Sequence, residues 1–309
     1  MDNFYDFQSE LLDEIISSKK TECAEELGHE SKKFDYGVRV ERYRVTTIEE
    51  EKFYGKSRGI YEIFSIPNAL EVDKKIGSHI EDIVAHSLSS LLGKINSKSR
   101  VLVIGLGNRH ISSDSLGSKV CHKIHITLSS GKCPTVMAFC PSVLGLTGIE
   151  TYDIISGVVE KTNPTHLILI DSLCAGAVSR LGSSIQLSNT GLCPGSGIGN
   201  NRKCIDTSIC KKIVSIGVPL LIYAGTFIRD TFDKKGIDFL KIRDIMQNSE
   251  NISNNADFLD FIKAMEEIYG DRVDGIIVSH KDIEEMVKIL SNIIANAINK
   301  SLGVFELND

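Results

Sequence analysis

The chain has 309 residues, enough to bury a sizeable core without disulfide or metal staples, and its 42% hydrophobic and 25% charged residues are ordinary globular values. A formal charge of −6, from 41 acidic and 35 basic residues, argues against the dominant basic surface on which nucleic-acid binding depends. The eight cysteines include no CxxC pair or other close metal spacing, so they read as free thiols of a reducing compartment, neither zinc ligands nor a disulfide framework.

The first residues, MDNFYDFQSELLDE, are acidic where a secretory signal would be basic, and no apolar run approaches the roughly 18 residues of a membrane span. A soluble intracellular protein with no membrane partner is expected. Leu11, Leu12, Ile15, Ile16, Cys23 and Leu27 recur at helical spacing, which predicts a short amphipathic helix within an amino-terminal arm over residues 1–30. Residues 31–309 then read as a single α/β domain.

Val38, Val40, Tyr43 and Val45 predict one strand, and Ile60, Tyr61, Ile63, Phe64 and Ile66 another, closed by Pro67 and paired with the first. From Ile76 to Leu92 the period is helical; Asn96 to Ser99 break it before the strand Val101 to Ile104. Further strands are expected at 124–127, 136–139, 166–170, 185–187, 213–216 and 276–278, several as near-continuous apolar runs suited to burial on both faces. Thr147 with Glu150, and Ser279 with Asp282, have the spacing of helix starts. Residues 233–274 form a polar excursion.

The segment GLGNRHISSDSLG, residues 105–117, follows an apolar strand, yet His110 stands where a dinucleotide fingerprint needs its third glycine, and the Walker lysine is absent. What it offers at the strand's carboxyl end is Asn108 and Asp114. Asp171 follows the apolar run Leu167 to Ile170 in the same manner, read as its terminating residue. Two aspartates at two strand tips could meet in a cleft, although each is also the kind of residue that caps a helix. A third tip, NTGLCPGSGIGNNRK (residues 189–203), has glycines that permit close backbone approach, with Arg202 and Lys203 as binders of acidic groups.

These segments, together with LGLTGIETYDIISGVVEKTNP, SIGVPL and the closing VSHKDIEEMVKILSNIIANAINKSL, resemble the germination proteases of endospore-forming bacteria, in family order across most of residues 101–302. The resemblance implies a three-layer α/β sandwich around a mostly parallel or mixed sheet, similar to hydrogenase-maturation peptidases. It also implies an endopeptidase for small acid-soluble spore proteins, with no cofactor and no metal, assembled as a homotetramer in the cytoplasm of the forespore or spore. By the same likeness Asp114 and Asp171 are catalytic. Asn108, Gly195, Ser196, Gly197, Arg202 and Lys203 are candidates for holding substrate. Family members are made as zymogens that cut themselves at a site like R-T-D-L-A-V-E; its counterpart here is Gln8 to Glu14, with cleavage between Glu10 and Leu11.

The chain departs from the family pattern at Arg109, Ser112, Ser113, Gly176, Asn189, Cys193 and Tyr223. Asn189 and Cys193 stand where the family has an acid and a histidine. Three alternatives therefore stay open: a non-catalytic paralogue that binds a spore protein, a metal-dependent peptidase with the aspartates or His110, His122 and His125 as ligands, and a thiol nucleophile at Cys174 or Cys193.

Overall fold

The computed structural model describes residues 28–128, 133–193, 203–234 and 276–304. Among these, nine strands form one sheet: β1 (Gly28–Lys33), β2 (Arg39–Val45), β3 (Gly59–Ser65), β4 (Arg100–Gly105), β5 (Thr135–Phe139), β6 (His166–Cys174), β7 (Ser184–Ser188), β8 (Ile213–Tyr223) and β9 (Ile277–Ser279). The order across the sheet is β1-β2-β3-β7-β8-β6-β4-β5, with β9 added to the end of β8. Strands β8, β6, β4 and β5 run parallel, whereas β1, β2, β3 and β7 are antiparallel.

The helices are α1 (Ile48–Tyr54), α2 (Lys74–Leu92), α3 (Leu116–Cys121), α4 (Leu144–Thr147), α5 (Thr151–Thr162), α6 (Ala224–Lys234) and α7 (Ile283–Leu302). Strand alternation sorts the apolar residues into two layers. Val101, Val103, Ile168, Ile170, Val214 and Ile216 face α2, α3 and α7, where they meet Leu88, Val120 and Ile294. Leu102, Ile104, Leu167, Leu169 and Ile213 face the other way, onto Ile155 and Val159 of α5. Side chains on both faces of the parallel strands are thus removed from water, each worth about 1.5–3 kcal/mol of burial, and the result is the expected three-layer α/β sandwich. Lys300 ties α7 to α2 through Glu81 and Asp82, each at 2.9 Å.

Several local expectations are corrected. Residues 124–127 form no strand; Thr127 makes a single antiparallel bridge to Val136. Asp171 does not terminate β6, because parallel pairing with β8 continues past it, through an irregularity at Leu173/Cys174. Thr147 caps no helix: it ends α4, and Gly148 turns away in the left-handed region at φ 69°, so α5 starts one turn later behind Glu150 without a side-chain cap. The T-x-x-E box that does form is Thr47 with Glu50 at α1. Cys193 and Cys204 are not free thiols but a disulfide, their Cα atoms 4.0 Å apart beside the Leu192–Ile205 bridge. The helix expected over residues 10–27, with Glu10 and Leu11, lies outside the described residues, as does most of the polar excursion.

Candidate functional site

After β4 the chain crosses through α3 to β5 on one side, then through α5 to β6 on the other. The boundary between β4 and β6 is therefore the point at which the parallel strand order reverses, the position at which open α/β sheets form a ligand crevice at the strands' carboxyl ends. Asp114 follows β4 and Asp171 lies in β6, so the two candidate aspartates belong to the two strands on either side of this boundary. The Leu106 N–H donates to the Ile170 carbonyl at 2.8 Å, which stitches the turn after β4 to the residue before Asp171.

The glycines of GLGN serve packing rather than a phosphate. A Cβ on Gly105 would overlap the Gly117 carbonyl, so the missing side chain lets α3 press against the end of β4. Gly107 has φ 93°, and a Cβ there would collide with the Asp114 backbone. The turn is thereby wrapped around Asp114, whose Oδ2 accepts the Asn108 N–H at 2.7 Å. Burial raises the Asp114 pKa, and that hydrogen bond opposes the rise without cancelling it. The Asn108 side chain accepts the His110 N–H at 3.0 Å, so both its backbone donor and its amide oxygen hold the turn together. Ser112 hydrogen-bonds Glu284 at 3.0 Å and anchors the single 3-10 turn Ser112–Asp114 to α7.

Asp171 is half-buried and sits opposite Gly217 of β8. Its Oδ1 accepts the Ser172 N–H at 2.9 Å. By alternation it shares the sheet face of Leu169, on the α5 side.

The third predicted tip begins at Gly191, φ 88°, where a side chain would overlap the Ile205 carbonyl. Gly195, Ser196, Gly197 and Arg202 lie outside the described residues. Lys203 turns to α5, with Nζ 3.9 Å from an Asp153 oxygen and 5.1 Å from the Tyr152 ring centroid. Asn189 closes the β3–β7 ladder, its side-chain oxygen accepting the Ile60 N–H at 2.8 Å. Cys193, bonded to Cys204, has no thiol to offer as a nucleophile.

The three histidines do not converge. His110 is exposed, His122 contacts the Ser118 carbonyl through Nδ1 at 2.6 Å, and the His125 N–H donates to Asn299 at 3.0 Å. Among the described residues no group of three His, Cys, Asp or Glu side chains is arranged to hold a metal. No described helix is long and apolar enough to cross a membrane.

Sequence reasoning passed over Cys140, the residue that follows β5 at this same end of the sheet. It lies beside Cys121 at the end of α3, whose Sγ is 3.6 Å from the Phe139 carbonyl, and its charged form is favoured by Cys121, His122 and Arg109. The available signal was its position directly after the apolar run Val136–Phe139, the same kind of place that drew attention to Asp171.

Residues 10–254 match the family model described as germination protease. A germination protease of Clostridium tetani (strain Massachusetts / E88) is 34% identical over 91% of this chain and 91% of its own length. That of Caldanaerobacter subterraneus subsp. tengcongensis is 33% identical over 86% of this chain and 85% of its own. A solved [NiFe] hydrogenase maturation protease, HycI from Thermococcus kodakarensis KOD1, covers 43% of this chain and 80% of its own at 16% identity, with a TM-score of 0.32.

Proposed function

The chain belongs to the germination protease family, and on that premise we propose that it is an endopeptidase of small acid-soluble spore proteins, with Asp114 and Asp171 as its acid/base pair. The observation that carries the reading is the Asp114 carboxyl group, fixed by the Asn108 N–H at the β4–β6 crevice and biased by burial toward its protonated form. A carboxyl group that keeps its proton is suited to protonate the departing amine, while a neighbouring carboxylate, Asp171, takes a proton from the attacking water. The pairing requires the two carboxyl groups to divide these roles, one as acid and one as base.

The same reading makes the cytoplasm of the forespore or spore the site of action and a homotetramer the working form. It assigns self-processing between Glu10 and Leu11, and substrate grip to Gly195, Ser196, Gly197, Arg202 and Lys203.

The test is incubation of the purified protein with a small acid-soluble spore protein, with mass spectrometry of the products and of the protein's own amino terminus. Asp114→Asn and Asp171→Asn should each lower cleavage by about 10²–10⁴-fold, the range of general acid–base catalysis, with the fold intact. Full activity in both variants would sink the reading. Cleavage abolished by exhaustive chelation would replace it with a metal-dependent peptidase.

A second reading is a non-catalytic binder of spore proteins. It is favoured by two departures: Asn189 is engaged in the sheet ladder and Cys193 in a disulfide, at positions where the resemblance expects an acid and a histidine. Tight binding without cleavage, even after removal of residues 1–10, would support it.

A further inference from the structure

Cys121 and Cys140 stand apart from the other cysteines. Cys121 is the last residue of α3 and only 7% exposed. Its Sγ lies 3.6 Å from the Phe139 carbonyl, the peptide group that leads into Cys140, and 3.8 Å from the Val103 carbonyl, so its thiol sits at the ends of β4 and β5 beside Cys140. Both side chains pack in the core layer between the sheet and α3.

Cys140 itself is half-buried, so a small solute can reach its sulfur while Cys121 stays covered. Its neighbours all favour the thiolate: the S–H donor of Cys121, the His122 ring and the Arg109 guanidinium together push its pKa down to about 7 against the cost of burial. The thiol of Cys121 is pushed the opposite way, by its donation to Cys140 and by burial. A reachable sulfur that carries charge, beside a covered one that keeps its proton, is the arrangement of an attacking thiol and a resolving thiol.

We propose that Cys121 and Cys140 form a peroxide-responsive dithiol that sits against the Asp114 turn. The Cys140 thiolate attacks one oxygen of a hydroperoxide, breaking the O–O bond; the sulfur is oxidised to sulfenic acid and the leaving oxygen departs as hydroxide or alkoxide. The Cys121 sulfur then attacks Cys140 and forms the S–S bond. The sulfenic oxygen leaves with the Cys121 proton as water. With hydrogen peroxide, two thiols and one peroxide yield one disulfide and two waters.

The step acts on the turn because the two sulfurs must close to the roughly 2.05 Å of a disulfide, drawing Cys121 away from the Phe139 carbonyl it now contacts. α3 starts two residues after Asp114, and its Gly117 backbone already touches Gly105. The closure is therefore taken up where α3, β4 and the Asp114 turn meet.

The experiment treats the full-length protein with hydrogen peroxide, blocks remaining thiols by alkylation, and maps linked peptides by mass spectrometry. The expected product is a Cys121–Cys140 crosslink, with the loss of two hydrogens, reversed by dithiothreitol and formed before Cys133 or Cys174 is oxidised. Cys121→Ser should leave Cys140 as a sulfenic acid trapped by dimedone. Arg109→Gln, at an exposed position, should slow the reaction about threefold by withdrawing a positive charge from the thiolate. Oxidation of Cys133 or Cys174 ahead of Cys140, or Cys140 oxidised with no crosslink, would overturn the proposal.

Control of the Asp114 turn rests on the peptidase reading and is checked separately. Oxidised protein should cleave a spore protein at least fivefold more slowly, with recovery on reduction. A crosslink that leaves cleavage unchanged would remove that control, whereas absence of cleavage in both redox states counts against the peptidase reading and leaves the crosslink result standing.

Discussion

In the parallel half of the sheet, β4, β6 and β8 hide apolar side chains on both faces and carry their candidate chemistry toward one end. In the antiparallel half, β1 is exposed along its whole length, and β2 and β3 carry cross-strand charge pairs: Arg42 is opposite Glu30 on one side and Glu62 on the other, and Arg44 bonds Glu30 at 2.9 Å. The parallel half is packed with apolar side chains on both faces, whereas the antiparallel half combines its own apolar cluster around Tyr43, Val45, Tyr54 and Ile63 with paired charges. A strand buried on both faces can be polar only where the core stops, so the crevice lies at the end of that half.

The largest effect should come from Gly105→Ala. The added methyl group has no room against the Gly117 backbone, and a loss of about 2–4 kcal/mol in urea unfolding is expected, with the Asp114 turn displaced and activity lost with it. Wild-type stability in this variant would show that packing at the crevice is looser than described.

Next comes the buried pair of the other half. Glu62 is 1% exposed and accepts Arg42 Nε at 2.6 Å, so Arg42→Ala strands a carboxylate in the core and should cost about 3 kcal/mol. The double change Arg42→Met with Glu62→Leu should restore most of that stability without touching cleavage. If the double variant lost activity, the separation between the two halves would fail.

Thr47→Ala removes one side of the α1 capping box and should cost about 1 kcal/mol, again read by urea unfolding. The smallest effect is Asp114→Asn on stability. The folded-state pKa of Asp114 is raised, so folding favours its protonated form. That contribution is fully present below the unfolded value of 3.8 and is lost as pH rises through the folded pKa. The substituted amide carries no charge to desolvate, and its oxygen still accepts the Asn108 N–H. The variant should therefore melt slightly above wild type at pH 7, and the advantage should vanish below pH 3.8.

The parallel half was the more legible in sequence, because burial on both faces writes itself as apolar runs such as Val101–Ile104 and Leu167–Ile170. β1 was not legible: GHESKK has no apolar alternation and is a strand because its backbone completes a ladder with β2. Asp171 looked terminal since the apolar run stops there, but pairing with β8 continues through polar residues that a hydropathy pattern does not register. The T-x-x-E spacing also occurs at Thr47–Glu50, where a capping box forms, whereas at Thr147 the left-handed turn of Gly148, which a spacing rule does not weigh, prevents it. Asp114 and Asp171 were singled out by position at strand ends and by resemblance. The Cys193–Cys204 bond and the Cys121/Cys140 contact depend on residues 11 and 19 apart being brought together by tertiary structure, and no short spacing announces them.

Strand β8 is shared property: β6 lies along it in parallel, and β7 and β9 lie along it antiparallel. A ribosome delivers the chain amino terminus first, so the two halves have no common strand until Tyr223 has emerged. The layer facing α2 then still lacks α7, which ends only at Leu302. At about 5–20 residues per second, the α2–α3 layer waits on the order of ten seconds for its last helix. A message truncated before Ile283 would thus release a chain whose α2–α3 layer lacks the apolar face of α7, and the cell's quality control, rather than the crevice, would decide its fate.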